Sequence, residues 1–282
     1  MKWYKIEYFF YNELLAHVSS SNMSQSSKLS ANLTAMVEGG SRLNDDSKGS
    51  EKTLEQAMLE IMAYSQEKNP GFKIAHKKNI SLFECQESLE RMGGPTPDPA
   101  NKTFYMKPDG GYIFAKYGDR ELPLLIVEDK RQGTNDNLHA LNKPRQALGN
   151  AIERAAKNIR GSEMLFAPFD IFPYVIFASG CDFHHTETIS KRLEMMNYGC
   201  PNHYIEVNPA TSQESLDVAL SEIMTKIDVR KRWGGRSIAL VFIKAHKWDE
   251  MGHGSSAWTT EEEVRVLKVI MDQVFSYYAT LS

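Results

Sequence analysis

The sequence predicts an α/β protein in which a central mixed β-sheet is flanked by helices, preceded by a flexible N-terminal arm. Two stretches of the second half, IFPYVIFASG and SIALVFIKAH, have the length and the aromatic and β-branched content of buried strands. Helical patterns alternate with them over residues 186–196 and 211–227, and again from about Thr260. Strands that alternate with helices favour a layered α/β architecture.

The N-terminal part has a different composition. Residues 19–50 contain ten serines, three glycines and few large apolar side chains, which is typical of a mobile segment. We therefore predict a flexible arm over residues 1–50, of which residues 1–22 are a candidate upstream extension. Apolar residues then recur at helical spacing over residues 51–67 and predict an amphipathic helix. Residues 51–282 are expected to form a single domain.

The bulk composition indicates a cytoplasmic protein without a membrane partner. The net charge of −3 does not by itself suggest a nucleic-acid binder, although local patterning decides that question. Three cysteines, an odd number without metal-type spacing, fit a reducing compartment better than a disulfide scaffold. Charged residues interrupt the aromatic N-terminus, so it lacks the character of a signal peptide or membrane span.

Residues 106–130, MKPDGGYIFAKYGDRELPLLIVEDK, predict a β-hairpin. A glycine-first loop of two residues at 118–119 is a turn that hairpins favour. If the strands pair in register from this loop, Asp109 lies opposite Glu128, and a slip of one residue would send the two carboxylates to opposite faces. Lys130 is two residues beyond Glu128 and therefore on the same face of its strand.

Two carboxylates beside a lysine suit the hydrolysis of a phosphodiester. Asp109 and Glu128 can bind Mg²⁺ while leaving coordination sites for water and a phosphate oxygen. Such a metal activates the water and neutralises charge on the phosphate. Lys130 can orient the attacking water or stabilise the developing negative charge. The alternative is an exposed salt-bridge network at the strand ends.

A family resemblance strengthens the first interpretation. KPDGG followed by VEDK is similar to the metal site of the PD-(D/E)xK nucleases, and the later segment ALGNAIERAAKNI resembles the recognition segment of the EcoRI-type type II restriction endonucleases. The segment RLEMMNYGCP is also similar, so the resemblance covers roughly residues 60–205. It implies a restriction-endonuclease-like fold and a Mg²⁺-dependent homodimer that cuts both strands of double-stranded DNA at a palindrome, in restriction-modification defence.

The GNAIER block also has a physical interpretation of its own. Asn150 is a predicted N-cap with Glu153 at the third helical position, and Gly149 permits a close backbone approach. The amide of Asn150 can pair with adenine, and Arg154 can donate to base acceptors. The alternative is an ordinary capped surface helix. The predicted buried stripe of this helix is Leu148, Ile152, Ala156 and Ile159.

The resemblance implies a role for each matching residue. Asp109 and Glu128 would be the Mg²⁺ ligands, with Lys130 as the catalytic lysine. Lys107 and Lys157 would lie near the scissile phosphate. The residues implied to lie along the bases are Gly149, Asn150, Ala151, Glu153 and Arg154, and Arg192 is implied as a further DNA contact.

The chain departs from the family pattern in two places. Asp129 and Arg131 replace the more usual alanine and histidine around the lysine. Gln146 and Leu148 stand where the family pattern has methionine and alanine, which leaves the outer base pair of the DNA site open. Family members that share GNAIER share a central AATT in their sites, so the resemblance implies a palindrome centred on AATT, with GAATTC the leading candidate.

Other interpretations remain from the sequence. A non-catalytic DNA-binding regulator and a structure-specific repair nuclease of the same fold are the functional alternatives. Cys181 with His184-His185 suggests zinc only weakly, because the spacing fits no structural site and a surface loop explains it. The basic turn at residues 229–236, VRKRWGGR, can contact phosphates or be a solvated loop. The apolar helices of the second half offer surface for a dimer.

Overall fold

The computed structural model describes most of the chain from Arg42 onward. The described residues are 42–118, 120–131, 149–179, 204–207, 213–230, 232–233, 236–244 and 257–281. The chain divides into two compact units, Met1–Lys48 and Gly49–Ser282. The predicted helix at residues 186–196 and most of the predicted arm lie outside the described residues, as do Gln146, Leu148, Cys181, His184, His185 and Arg192.

The elements follow one another in an α/β order. In chain order the described helices are α1 (Arg42–Lys68), α2 (Leu82–Glu90), α3 (Gly149–Phe166), α4 (Gln213–Met224) and α5 (Thr260–Ala279). The described strands are β1 (Lys73–Lys77), β2 (Ile80–Ser81), β3 (Tyr105–Met106), β4 (Gly111–Tyr117), β5 (Arg120–Arg131), β6 (Tyr174–Ser179), β7 (Tyr204–Val207), β8 (Arg232–Trp233), β9 (Arg236–Ser237) and β10 (Leu240–Lys244).

Six of these strands form the main sheet, in the order β1-β4-β5-β6-β10-β7. The β1, β4 and β5 strands pair antiparallel, whereas β5, β6, β10 and β7 pair in parallel. The predicted mixed sheet is therefore confirmed. Apolar side chains of β5, β6 and β10 are buried and form the centre of the core.

Helices cover both faces of this sheet. Glu128 pairs with Ile176 and is contacted by α3, whereas Phe177, the next residue of β6, packs against Trp258 at a centroid distance of 5.1 Å, just before α5. Because side chains alternate between faces along a strand, α3 and the start of α5 lie on opposite sides. α3 also approaches β3 closely, since a Cβ at Gly161 would overlap the sulfur of Met106.

The predicted hairpin is confirmed at its turn, but the predicted register is wrong beyond it. Tyr117 pairs with Arg120 around Gly118, which has a φ of +58°. That register persists to Pro123, after which Ile113 pairs with Leu125. One extra residue, Leu124, therefore forms a β-bulge in β5.

Two helices begin at residues other than the predicted ones. The α1 helix begins at Arg42, nine residues before the predicted start, so residues 42–50 are helical and not part of a flexible arm. The α3 helix begins at Gly149, so Asn150 lies in the first turn and is not the N-cap. Of its predicted inward positions, Ile159 is buried and Ala156 is partly buried against the core, and Ala155, which was not predicted, is buried as well.

The two helices predicted near the C-terminus are confirmed. The predicted helix at residues 211–227 is α4, and α5 begins at the predicted Thr260. A capping box between Thr259 and Glu262 fixes the start of α5. The predicted inward residues of α5 are buried, namely Val264, Leu267, Ile270, Met271, Val274 and Tyr278. None of the described helices is long and apolar enough to cross a membrane.

Candidate active site

Asp109, Glu128 and Lys130 converge on one point at the open end of the β4–β5 hairpin. The ammonium nitrogen of Lys130 lies 2.7 Å from Oδ2 of Asp109 and 2.6 Å from Oε1 of Glu128. One cation therefore bridges the two carboxylates.

The convergence does not depend on the predicted strand register. Glu128 and Lys130 are two residues apart on β5 and share a face. Asp109 lies in the turn before β4, where it is free of the alternation that a strand imposes. This turn is fixed to β5 because Gly110 donates its N–H to the carbonyl oxygen of Val127 at 2.9 Å. A ring nitrogen of His76 is 2.8 Å from the carbonyl oxygen of Gly110 and holds the turn from β1.

Glu128 is held in one orientation by its neighbours. Its side chain is only 2% exposed, so each oxygen needs a donor to replace water. Asn158 on α3 donates to Oε1 at 3.1 Å, and the hydroxyl of Tyr174 on β6 donates to Oε2. Burial and the negative charge of Glu128 raise the pKa of Tyr174 well above its usual value, which keeps this hydroxyl a donor.

Lys130 stays a cation although it is largely buried. Burial alone would lower the pKa of its ammonium group, but the charges of Glu128 and Asp109 and the hydrogen bonds to them raise it. Its third proton goes to the carbonyl oxygen of Asp129, at 2.9 Å. At neutral pH the lysine is therefore a fully formed positive charge beside two carboxylates.

The same pair of carboxylates fits a divalent cation. Both already meet at a single positive charge, which shows that the turn and the strand aim their oxygens at a common point. Mg²⁺ is commonly bound by one or two carboxylates together with water and phosphate oxygens. The described part of the chain holds no group of three or more His, Cys, Asp or Glu side chains placed to bind a metal. Asp109 and Glu128 are thus the donor set available in this place.

A cavity of about 300 Å³ adjoins Asp109. Its apolar side is lined by Met58, Leu59 and Met62. Lys78 and the predicted phosphate contact Lys107 lie on its polar side. Because Lys107 is exposed, its ammonium group is accessible from solvent beside the carboxylates.

The GNAIER block forms the first turns of α3, the helix that also contacts Glu128. Arg154 and Lys157 are exposed there, as a DNA-contacting role requires. The structure gives the backbone of residues 149–153 as helical but does not describe their side chains, that of Asn150 included. The predicted DNA contacts Gln146 and Arg192 lie outside the described residues.

Two members of the site were missed by sequence reasoning. Asn158 is the last letter of the KN pair after GNAIER, but a lone asparagine in a helix gave no signal of its contact with Glu128. Tyr174 was interpreted as part of a buried apolar strand. A tyrosine within a predicted buried strand could have indicated this contact, because a buried tyrosine hydroxyl usually has a hydrogen-bond partner.

The chain is an α/β protein with helices on both faces of its sheet and a carboxylate–lysine cluster at the end of a central hairpin. The family model described as restriction endonuclease EcoRI matches residues 38–197. The chain belongs to this family and is a type II restriction endonuclease.

A curated relative supports the same assignment. The type II restriction enzyme EcoRI of Escherichia coli is 28% identical in an alignment that covers 57% of this chain and 70% of the relative. The matched range of the family model includes the Asp109–Glu128–Lys130 cluster and the whole of α3.

Proposed function

We propose that the protein is a Mg²⁺-dependent endonuclease that hydrolyses both strands of double-stranded DNA at a palindrome, in restriction-modification defence. The observation that carries the proposal is the convergence of Asp109 and Glu128 on the ammonium group of Lys130. A salt-bridge network at the surface does not explain this geometry well, because Glu128 is buried and has three donors.

Asp109 and Glu128 are the proposed metal ligands. A bound Mg²⁺ would activate water and neutralise charge on the scissile phosphate. Glu128 is the rigid member, since Asn158 and Tyr174 fix both of its oxygens. Asp109 is 44% exposed and open to solvent, so it is the member that an arriving metal ion would meet first.

Lys130 is the proposed catalytic lysine. Because its pKa is raised, it is a cation at neutral pH, and its N–H groups would be released to donate to a phosphate oxygen or to the attacking water when the two carboxylates hold a metal. A compact ammonium group next to two carboxylates also offsets their repulsion of the phosphodiester.

Exposed basic residues around the cluster are the proposed contacts to the DNA backbone. Lys107 at the cavity and Lys157 on α3 lie on the described surface. The residues proposed to read bases are Gly149, Asn150, Ala151, Glu153 and Arg154, and Gln146 and Arg192 complete the proposed set. A palindrome offers the same contacts on each strand, so we propose a homodimer with one active site per strand.

Digestion of plasmid DNA tests this function. Purified protein with Mg²⁺ should produce discrete bands, and chelation of the metal should abolish them. Absence of cutting by a protein that still binds DNA would support a regulator instead, and cutting confined to junctions or flaps would support a repair nuclease. Lys130→Ala serves as the matched control for a contaminating nuclease, because it removes the proposed chemistry and leaves the preparation otherwise the same.

A further inference from the structure

Glu128 receives hydrogen bonds from three elements. Lys130 of β5 and Asn158 of α3 both lie within bonding distance of Oε1, at 2.6 Å and 3.1 Å. Tyr174 of β6 donates to Oε2. A carboxylate oxygen accepts about two such bonds in the plane of the group, so the Asn158 amide occupies one of the positions that fix the rotation of this carboxylate.

The three donors differ in whether their secondary-structure element is fixed to the strand that carries Glu128. Lys130 belongs to the same strand as Glu128, and Tyr174 belongs to β6, which pairs in register with β5 over six residue pairs. Both donors therefore move with Glu128. Asn158 belongs to a separate helix, and α3 is the helix that begins with the GNAIER block at Gly149.

A helix transmits displacement along its length. Successive residues rise about 1.5 Å, so the amide of Asn158 lies only about one turn, or about 6 Å, beyond Arg154. A shift or rotation of the first turn of α3 on DNA is therefore passed directly to the Asn158 amide. A change of a few tenths of an ångström at 3.1 Å is enough to weaken a hydrogen bond.

We propose that Asn158 is a positioning residue that couples the seating of α3 on DNA to the orientation of the Glu128 carboxylate. The inference rests on the proposed function, because it takes α3 as the reading element and Glu128 as a metal ligand. When α3 is correctly seated, Asn158 holds Glu128 in the orientation needed for metal binding. When a wrong base pair displaces α3, that support is lost and the metal site is disordered.

The test compares Asn158→Ala with Ser162→Ala. Ser162 lies one turn further along the same face of α3 and is buried, but its hydroxyl contacts that of Tyr112 at 3.3 Å and not Glu128. Both variants thus remove one side-chain hydrogen bond from α3, and only one of them releases Glu128. Asn158→Leu, which keeps the volume of the side chain, is measured in parallel so that a folding defect of the alanine variant is recognised by thermal melting.

The substrates are two duplexes. One carries the site found by sequencing the ends of digested DNA, and the other carries the same site with one inner base pair exchanged. In single-turnover cleavage of the correct site, Asn158→Ala should be about 10–100-fold slower than the wild type. On the exchanged site it should be slowed much less, so that discrimination in rate falls while the dissociation constants for both duplexes stay close to those of the wild type. Ser162→Ala should leave the rate ratio unchanged.

A second readout does not depend on cleavage. Mg²⁺ is titrated by calorimetry into the protein bound to duplexes whose scissile linkage is replaced by a non-hydrolysable analogue. Asn158→Ala should weaken Mg²⁺ binding about tenfold on the correct duplex and hardly at all on the exchanged one. An equal loss on both duplexes, or no loss on either, overturns the coupling. Absence of any site-specific cleavage by the wild-type protein refutes the proposed function itself and is recognised before any variant is compared.

Discussion

The hydroxyl of Tyr278 donates a hydrogen bond to the carbonyl oxygen of Pro123, at 2.7 Å. The two residues are 155 positions apart and both are buried. Pro123 lies next to the β-bulge at Leu124, where the ladder between β4 and β5 is interrupted. The last helix therefore supplies a donor to the backbone of β5 where its pairing with β4 shifts.

Tyr278→Phe should destabilise the protein, because it removes the hydroxyl and keeps the aromatic ring. Removing the hydroxyl leaves a buried carbonyl without this donor, which costs about 1–3 kcal/mol. Thermal melting should show a decrease of a few degrees, on the scale of about 2–4 °C per kcal/mol for a domain of this size. Tyr105→Phe is the matched control, because the Tyr105 side chain is 58% exposed and its loss should not be detectable. Equal melting temperatures for all three proteins would contradict the role given to Tyr278.

The bulge explains what the sequence could and could not predict. Gly118 marked the turn, and alternation along β5 placed Glu128 and Lys130 on one face, because both are local properties of the chain. The extra residue Leu124 was not predicted, since its accommodation depends on Tyr278 and other tertiary packing. Asp109 still reaches the cluster because it precedes β4 and is not bound by the shifted ladder.

The limits at α3 have the same origin. The pattern GNAIER predicts a helix, but whether Gly149 or Asn150 begins it depends on what packs before it. The predicted buried face included Ile159, which is buried, and Ala156, which is less buried than its neighbour Ala155. The contact between Asn158 and Glu128 joins residues 30 positions apart and leaves no periodic trace in the sequence.

Glu128→Ala and Lys130→Ala should abolish cleavage while leaving most of the DNA affinity. Binding depends chiefly on contacts to phosphates and bases, whereas these two side chains act on the reaction. The measurement is single-turnover cleavage with Mg²⁺ beside a binding assay on the same duplex. A variant of either residue that cuts at nearly the wild-type rate would reject the proposed site.

Glu263 is a buried acid at the start of α5. Its side chain is almost fully buried, and Oε2 has no hydrogen-bond partner among the described residues. Burial, with smaller contributions from the negative charges of Asp129 and Glu262, raises its pKa to about 9. The folded protein therefore keeps a proton on this group at pH values where the unfolded chain has lost it.

The free energy of unfolding should consequently fall as the pH rises from about 4.5 towards 9. Below the unfolded pKa both states are protonated and Glu263 costs nothing, whereas at higher pH the cost of keeping its proton accumulates. Glu263→Gln removes this dependence, so the variant should be more stable than the wild type at pH 8, by up to about 5 kcal/mol, and nearly equal to it at pH 4. Denaturant titrations at both pH values measure the difference. Glu261→Gln, at an exposed neighbouring position, is the control, and an advantage of Glu263→Gln that does not grow with pH would refute the explanation.

The free protein is expected to be a dimer in solution. The apolar stripe of α5 is buried in its own chain, so this helix is not the one expected to supply the interface. Large apolar side chains that are exposed within the described residues are Leu59, Met92, Phe104, Tyr105, Val218 and Leu281. Sedimentation equilibrium should give a mass of twice 32.0 kDa for the free protein, and that mass plus the mass of one duplex for the complex with DNA. A monomer under both conditions would contradict the two-fold mode of recognition.

The DNA site itself is expected to be a six-base palindrome centred on AATT. Asn150 has the amide geometry that pairs with N6 and N7 of adenine, while Gly149 and Ala151 let the backbone approach thymine methyl groups. The outer pair should depend on the residues before this block, where Gln146 replaces an apolar residue and a glutamine can turn its amide to suit more than one base. We therefore expect GAATTC, or the same centre with a relaxed outer pair.

Sequencing the ends of digested genomic DNA tests this expectation directly. Each wrong base pair should cost on the order of 1–3 kcal/mol, so exchange of an inner pair should suppress cutting about 10-fold or more, and exchange of the outer pair less. Asn150→Ala should weaken discrimination at the adenines. Lys157→Ala, which removes an exposed proposed phosphate contact, should weaken binding to all sequences alike. Ends that lack AATT would show that the first turn of α3 does not read the bases in the proposed way, whatever the state of the cluster formed by Asp109, Glu128 and Lys130.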